Sequence, residues 1–291
     1  NWYLANPALG DFRSLEEMRL TAQRARRMPS AESTFRNLYL NQAIDAAKVW
    51  IARSDWQRCE TSIDLDEYRG RDCWGGLDLS GKNDLTAFVL TFADEDGYES
   101  IPFFWTPAEG LQDREDRDRA PYVLWHRQGF LQTTPGRSVD YAAIALRLMQ
   151  FRSKFNLKEI AFDRWRIDDL QRELDAVGCS VEITEMGKPA SGTADLVLVK
   201  HGQGYRDMTV AVETLETAVL NGELRVQKNP VMTMCSANAV LTMDPAGSRK
   251  FDKMRSTGRI DGIVALAMSV RCAASSVASA GDYVGGRMVA L

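Results

Sequence analysis

Asp78 sits inside an apolar stretch, Trp74-Gly75-Gly76-Leu77-Asp78-Leu79-Ser80, and that restricts what this chain can fold into. Leu77-Asp78-Leu79 reads as a buried strand carrying a carboxylate. Burying a carboxylate is costly unless something pairs with it, and a metal ion is one such partner. Two further aspartates share this setting: Asp163 in Ile160-Ala161-Phe162-Asp163-Arg164-Trp165, and Asp261 in Arg259-Ile260-Asp261-Gly262-Ile263-Val264. We read the three as converging on divalent metal. Asp84, across a polar turn from Asp78, is an auxiliary candidate. Each also has a local explanation. Asp78 could cap a turn, Asp163 could pair with Arg164 or Arg166, and Asp261 could cap a helix, where orphan amides favour a carboxylate.

Oxygen ligands suit Mg²⁺ or Mn²⁺ rather than zinc. Two such ions about 4 Å apart can activate a water and stabilise the leaving oxygen of a phosphodiester. The chain's only histidines are His126 and His201, which leaves little for a zinc site or a Ser-His-Asp triad. Cys59, Cys73, Cys179, Cys235 and Cys272 are scattered without a C-x-x-C pair, as expected of reduced thiols. No apolar run approaches the ~20 residues that span a bilayer. The net charge of −4 gives no support by itself to nucleic-acid binding.

Periodicity divides the chain. Residues 1–65 read as helical, with Ser14 and Glu17 forming a capping box and Leu15, Met18, Ala22 and Ala25 forming an apolar stripe. A second helix is expected to carry Phe35, Leu38 and Leu40. Asp64 to Arg71 reads as a charged linker, so the boundary is placed at 65/66. From 66 to 291 the pattern predicts one α/β domain. Strands 74–80, 85–93 and 98–106 form a meander, with Asp96-Gly97 at a hairpin. Glu109 to Arg119 reads as a solvated helix face or loop. A helix over 139–155 capped by Ser138, a strand over 158–163, a helix over 167–177 and a strand over 180–184 follow as α/β crossovers. Residues 187–204 read as a loop or small hairpin, 208–220 as a helix, 222–226 as a strand, 249–259 as a basic loop, and 261–272 as the last helix. The expected architecture is a mixed sheet flanked by helices, preceded by a helical segment.

Gly76 to Lys82 fits the start of a phosphate-binding loop, G-x-x-x-x-G-K, but Asn83 replaces the required Ser or Thr and the residues that follow read as strand. Nucleotide binding is therefore not expected there. The stretch 249–259 holds Arg249, Lys250, Lys253, Arg255 and Arg259 against one acid, Asp252, just before Asp261. Locally positive loops can hold a nucleic-acid backbone on an acidic protein. Lys188 and Lys200 are weaker candidates for the same role.

Trp74 to Ser80 with Asp84-Leu85-Thr86-Ala87 resembles the first nuclease motif of tailed-bacteriophage terminase large subunits. Phe162-Asp163-Arg164-Trp165 resembles the second, and Arg259 to Met268 the third. Gly202-Gln203-Gly204-Tyr205 and Asp244-Pro245-Ala246-Gly247 are similar to intervening segments. Residues 1–65 look like the end of the family's ATPase domain and its linker; with no initiating Met and no ATPase motifs, the chain reads as a fragment. The resemblance implies an RNase H-like nuclease domain that cuts concatemeric double-stranded viral DNA, with Asp78, Asp163 and Asp261 binding two Mg²⁺ or Mn²⁺ ions and Asp84 assisting. It also implies the terminase small subunit and portal protein as partners, and a soluble, virus-encoded protein of the host cytoplasm. The competing readings are another RNase H-like nuclease, such as a junction resolvase or transposase, and a non-catalytic DNA-binding module.

Overall fold

The computed structural model describes residues 2–27, 35, 39–41, 49–79, 85–163 and 167–284. The chain divides into two compact units, Asn1–Lys48 and Val49–Leu291.

In the first unit, helix α1 is Trp2–Ala5 and helix α2 is Leu15–Arg27. The Glu17 amide donates to Ser14 Oγ at 3.3 Å, the cap anticipated from sequence. Met18 and Ala25 are buried with Leu9 and Phe35, and Leu15 and Ala22 pack against them. The predicted stripe thus forms a small core. Leu38, expected on a second helix, lies outside the described residues.

The second unit opens with α3 (Arg53–Cys59), β1 (Glu60–Thr61) and a 3-10 turn, Leu65–Tyr68. The expected linker at 64–71 lies within this unit and, exposed or half-buried elsewhere, gives its core one residue. Tyr68 is buried with its ring 4.5 Å from that of Phe92, and its hydroxyl donates to Glu99. A charged sequence concealed one aromatic anchor.

Strands β2 (Asp72–Asp78), β3 (Thr86–Asp94) and β4 (Gly97–Pro107) form the predicted antiparallel meander. Asp94 pairs with Gly97 across the hairpin, and Gly97 takes a φ of +127° that only glycine adopts readily. Helices α4 (Leu111–Asp118) and α5 (Tyr122–Arg127) and strand β5 (Gln132–Thr134) follow. Then come α6 (Tyr141–Lys154), β6 (Asn156–Phe162), α7 (Ile167–Ala176), β7 (Val181–Glu185) and β8 (Leu196–Lys200). The chain continues through α8 (Tyr205–Asn221), β9 (Leu224–Gln227), α9 (Pro230–Asn238), β10 (Leu241–Met243), β11 (Arg249–Phe251) and α10 (Asp261–Val284).

Among the described residues, nine strands form one mixed sheet in the order β1-β9-β4-β3-β2-β6-β8-β7, with β5 beside β4. β2, β6, β8 and β7 are mutually parallel. Successive residues of β2 alternate between two cores. Cys73 and Leu77 face Ile144, Leu148 and Phe151 of α6 and Leu170 and Leu174 of α7. Trp74 faces the other core, which holds Ile263 to Met268 of α10 and Leu215 of α8. That strict alternation sends Asp78 to the α10 side.

Several expectations are corrected. Residues 187–204 contain β8, a strand hydrogen-bonded on both sides, rather than only a loop. Its run Leu196-Val197-Leu198-Val199 is short, and only its neighbours decide that it is sheet. Helix α6 starts later than expected and is capped by Asp140, whose Oδ1 accepts from the Ala142 amide at 2.9 Å, not by Ser138. The basic stretch begins as strand β11, paired with β10. Helix α10 runs well past Cys272, and α9 and β1 had no clear sequence signal. Gly76 lies within strand β2 and the residues from Thr86 form strand β3, as read from the sequence, while the turn between them at 80–84 lies outside the described residues.

Candidate metal centre

Asp78 is the last residue of β2 and Asp261 the first of α10, and both are buried, at 3% and 7% exposure. They converge on one cation. Lys253 Nζ donates to Asp78 Oδ2 at 2.7 Å and to Asp261 Oδ1 at 3.1 Å. The other Asp78 oxygen accepts from Gln203 Nε2 at 3.0 Å.

Local structure places each group. Gln203 lies between the end of β8 and the start of α8, where the Gly202 amide donates to Asp207 Oδ2 at 3.0 Å. Lys253 lies in the turn after β11. Asp252 organises that turn by accepting from the Met254 and Arg255 amides at 3.0 and 3.1 Å. Phe251 anchors the strand before it, with its ring 5.4 Å from that of Trp50. The chain entering α10 is held by Arg259, which donates to Asp118 Oδ2 at 3.1 Å.

The electrostatics follow from two carboxylates sharing one ammonium. Burial pushes the Asp261 carboxyl up, Lys253 pulls it down, and Asp78 pushes it up again, leaving it raised overall. Burial alone would lower the Lys253 pKa, but Asp78 and Asp261 outweigh it and hold the ammonium charged. The Cys235 thiol behind them is raised chiefly by burial and then by Asp261, so it is an inert thiol.

Asp163 follows the last residue of β6 and is half-buried. Gly76 pairs with Ala161 and Leu77 with Phe162. The pairing of β2 with β6 ends there, one residue before Asp78 and Asp163. Among the described residues, however, no group of three or more His, Cys, Asp or Glu side chains is close enough to hold a metal. Asp163 has an interaction of its own. Asp84 lies outside the described residues.

A hard divalent ion fits the pair that does form. The donors are carboxylate oxygens, which suit Mg²⁺ or Mn²⁺, and they already close around a positive charge. That charge is the Lys253 ammonium.

The expected DNA-binding cations separate into different roles. Arg249 pairs with Glu216 at 2.8 Å and Arg259 with Asp118, each side chain 24% exposed. Lys250 lies over the Tyr205 ring at 4.9 Å. Arg255 is 72% exposed beside Asp252 at 3.6 Å. Lys188 pairs with Glu185 at 2.6 Å. Lys200 is exposed at the end of β8. Counting charges along the sequence overstated the basic surface, because the acids that offset Arg249 and Arg259 come from other elements. Gln203 lay in a recognised segment, but nothing in the spacing pointed to Asp78.

A mixed sheet with a leading antiparallel meander, and carboxylates at the ends of its central strand and of the helix across it, defines an RNase H-like domain. The chain belongs to the family described as the terminase large subunit, endonuclease domain, whose model matches residues 1–276. It is 47% identical over 283 residues to the terminase large subunit of Enterobacteria phage HK97, covering 97% of this chain and 52% of that protein. It is 28% identical over 278 residues to protein YmfN of Escherichia coli strain K12, covering 91% of this chain and 57% of that protein. The crystal structure of the HK97 large terminase superimposes with a TM-score of 0.67, covering 93% of this chain and 53% of that chain. The chain therefore spans about half the length of the relatives it matches.

Proposed function

We propose that this domain is a divalent-metal-dependent endonuclease that hydrolyses phosphodiester bonds of double-stranded DNA during viral genome packaging. The observation that carries this is the convergence of buried Asp78 and Asp261 on a single cation. Asp78 and Asp261 would hold two Mg²⁺ or Mn²⁺ ions, with Asp163 and Asp84 completing the set. When bound, such ions activate a water and stabilise the leaving oxygen. The chain's own residues prepare that chemistry. Gln203 fixes the rotamer of Asp78, the N-terminus of α10 favours the Asp261 carboxylate, and the two cores exclude water behind both. Lys250, Arg255 and Lys200 supply backbone contacts that carry no base information. Residues 1–65 correspond to the end of the ATPase domain and linker. The small subunit, the portal protein and a cytoplasmic location in the host follow from the same reading.

Cleavage of supercoiled plasmid with Mn²⁺, Mg²⁺ or EDTA tests it. Wild type should nick and linearise DNA only with metal, and Asp78→Ala and Asp261→Ala should be inert while retaining native circular dichroism. Nicking that persists in either folded variant sinks the assignment.

A further inference from the structure

The ion pairs of Lys253 carry a consequence for metal loading. Its ammonium lies 2.7 Å from Asp78 and 3.1 Å from Asp261, while those side chains are 3% and 10% exposed. Two buried carboxylates would repel each other strongly, and one internal positive charge relieves most of that. A divalent ion placed between the same oxygens cannot share the space with an ammonium. Lys253 differs from its partners in access: its own side chain is 42% exposed. Its four-carbon stem is flexible, so its head can swing outward without moving the turn that Asp252 holds. Lys250 and Arg255 lie close by in sequence, so an anionic backbone drawn to this turn would meet the released ammonium.

We propose that Lys253 is an intramolecular counterion that competes with divalent cation for Asp78 and Asp261, and that its displaced ammonium becomes a phosphate contact. This rests on reading the aspartate pair as the metal site. Metal-free protein is thereby protected from charge repulsion, and metal loading exposes a new DNA contact. The two events are coupled through one side chain, and such coupling is reciprocal.

Two measurements test it. The first is Mn²⁺ affinity from the electron paramagnetic resonance signal of free Mn²⁺. Lys253→Met should bind Mn²⁺ at least tenfold more tightly than wild type. Lys253→Gln, which can still donate to both carboxylates and serves if the methionine variant does not fold, should shift the same way. Unchanged or weaker affinity in the folded variants overturns the proposal. The second is binding of a short duplex over a salt series, in EDTA and in Ca²⁺. In EDTA, the slope of log K against log salt should match wild type. In Ca²⁺, the Lys253→Met slope should be flatter by about 0.9, one phosphate contact. Equal slopes under both conditions, or equal losses under both, overturn it. Asp78→Asn separates the two readings. If it keeps wild-type Mn²⁺ affinity, the metal-site reading fails. If it loses Mn²⁺ binding while Lys253→Met gains nothing, only the counterion inference fails.

Discussion

A Cβ added to Gly76 would lie 2.0 Å from the carbonyl oxygen of Ala265 and 2.7 Å from the Ser269 amide nitrogen. Helix α10 therefore rests directly on the backbone of β2, and this contact brings its first residue, Asp261, to the level of Asp78. Close beside it, Ser269 Oγ donates to the Trp74 carbonyl at 3.2 Å and contacts Thr91 Oγ1 at 2.6 Å.

Gly76→Ala should therefore be costly. The two nearest obstructions are backbone atoms of α10, which no side-chain rotation can move away. We expect a loss of about 3 kcal/mol or more, at or above the upper end for overpacking, read from the urea midpoint at constant m. A loss below about 1 kcal/mol would mean that α10 does not bear on the strand as described.

Metal should stabilise the fold through the aspartate pair. At a hundredfold excess over Kd, Mn²⁺ adds about 2.7 kcal/mol by mass action. The melting temperature should rise accordingly in wild type, and Asp78→Asn should blunt the rise. An identical shift in both proteins would place the metal elsewhere.

The basic stretch should act through only some of its cations. Among the described residues, Lys250 and Arg255 are not tied to carboxylates of distant elements, whereas Arg249 and Arg259 are held by Glu216 and Asp118. The double substitution Lys250→Ala with Arg255→Ala should flatten the salt dependence of duplex binding by up to roughly 1.8 in slope, two contacts at about 0.9 each. Arg259→Ala should change that slope less and lower the melting temperature instead. The reverse pattern would show that DNA enters by another face.

His201 should give the stability a pH dependence. It is 3% exposed, and burial lowers its pKa below the usual histidine value. Asp207 and the Gly202 carbonyl oppose that shift and Arg271 adds to it, but burial dominates. Between the folded value and the unfolded value near 6.5, the unfolded chain binds the extra proton. The contribution is therefore fully present above about pH 6.5 and is lost as pH falls toward the folded value. His201→Gln removes it. Urea unfolding at pH 7.5 and pH 5 should show a stability gap between wild type and variant that narrows at acid pH. A gap that does not narrow would count against a buried neutral imidazole.

The sequence by itself determined what short-range patterns encode. The meander through 72–107 was legible in three apolar runs, the last two joined at Asp96-Gly97. Helices 141–154, 167–176 and 205–221 were legible in their apolar stripes. Asp78 and Asp261 were legible as acids inside apolar elements, because an unpaired carboxylate there is too costly to be incidental. Tertiary structure alone decided who pairs with whom. Lys253 meets Asp78 across 175 residues and Gln203 meets it across 125, separations that leave no trace in spacing. The same holds for Arg249 and Arg259, whose neutralising acids are brought in by α8 and α4, and for Leu196–Lys200, which is a strand because β6 and β7 flank it. Propensity and periodicity act over a few residues. Ion pairing, burial and backbone contacts such as Gly76 on Ala265 are settled only when distant elements close on one another.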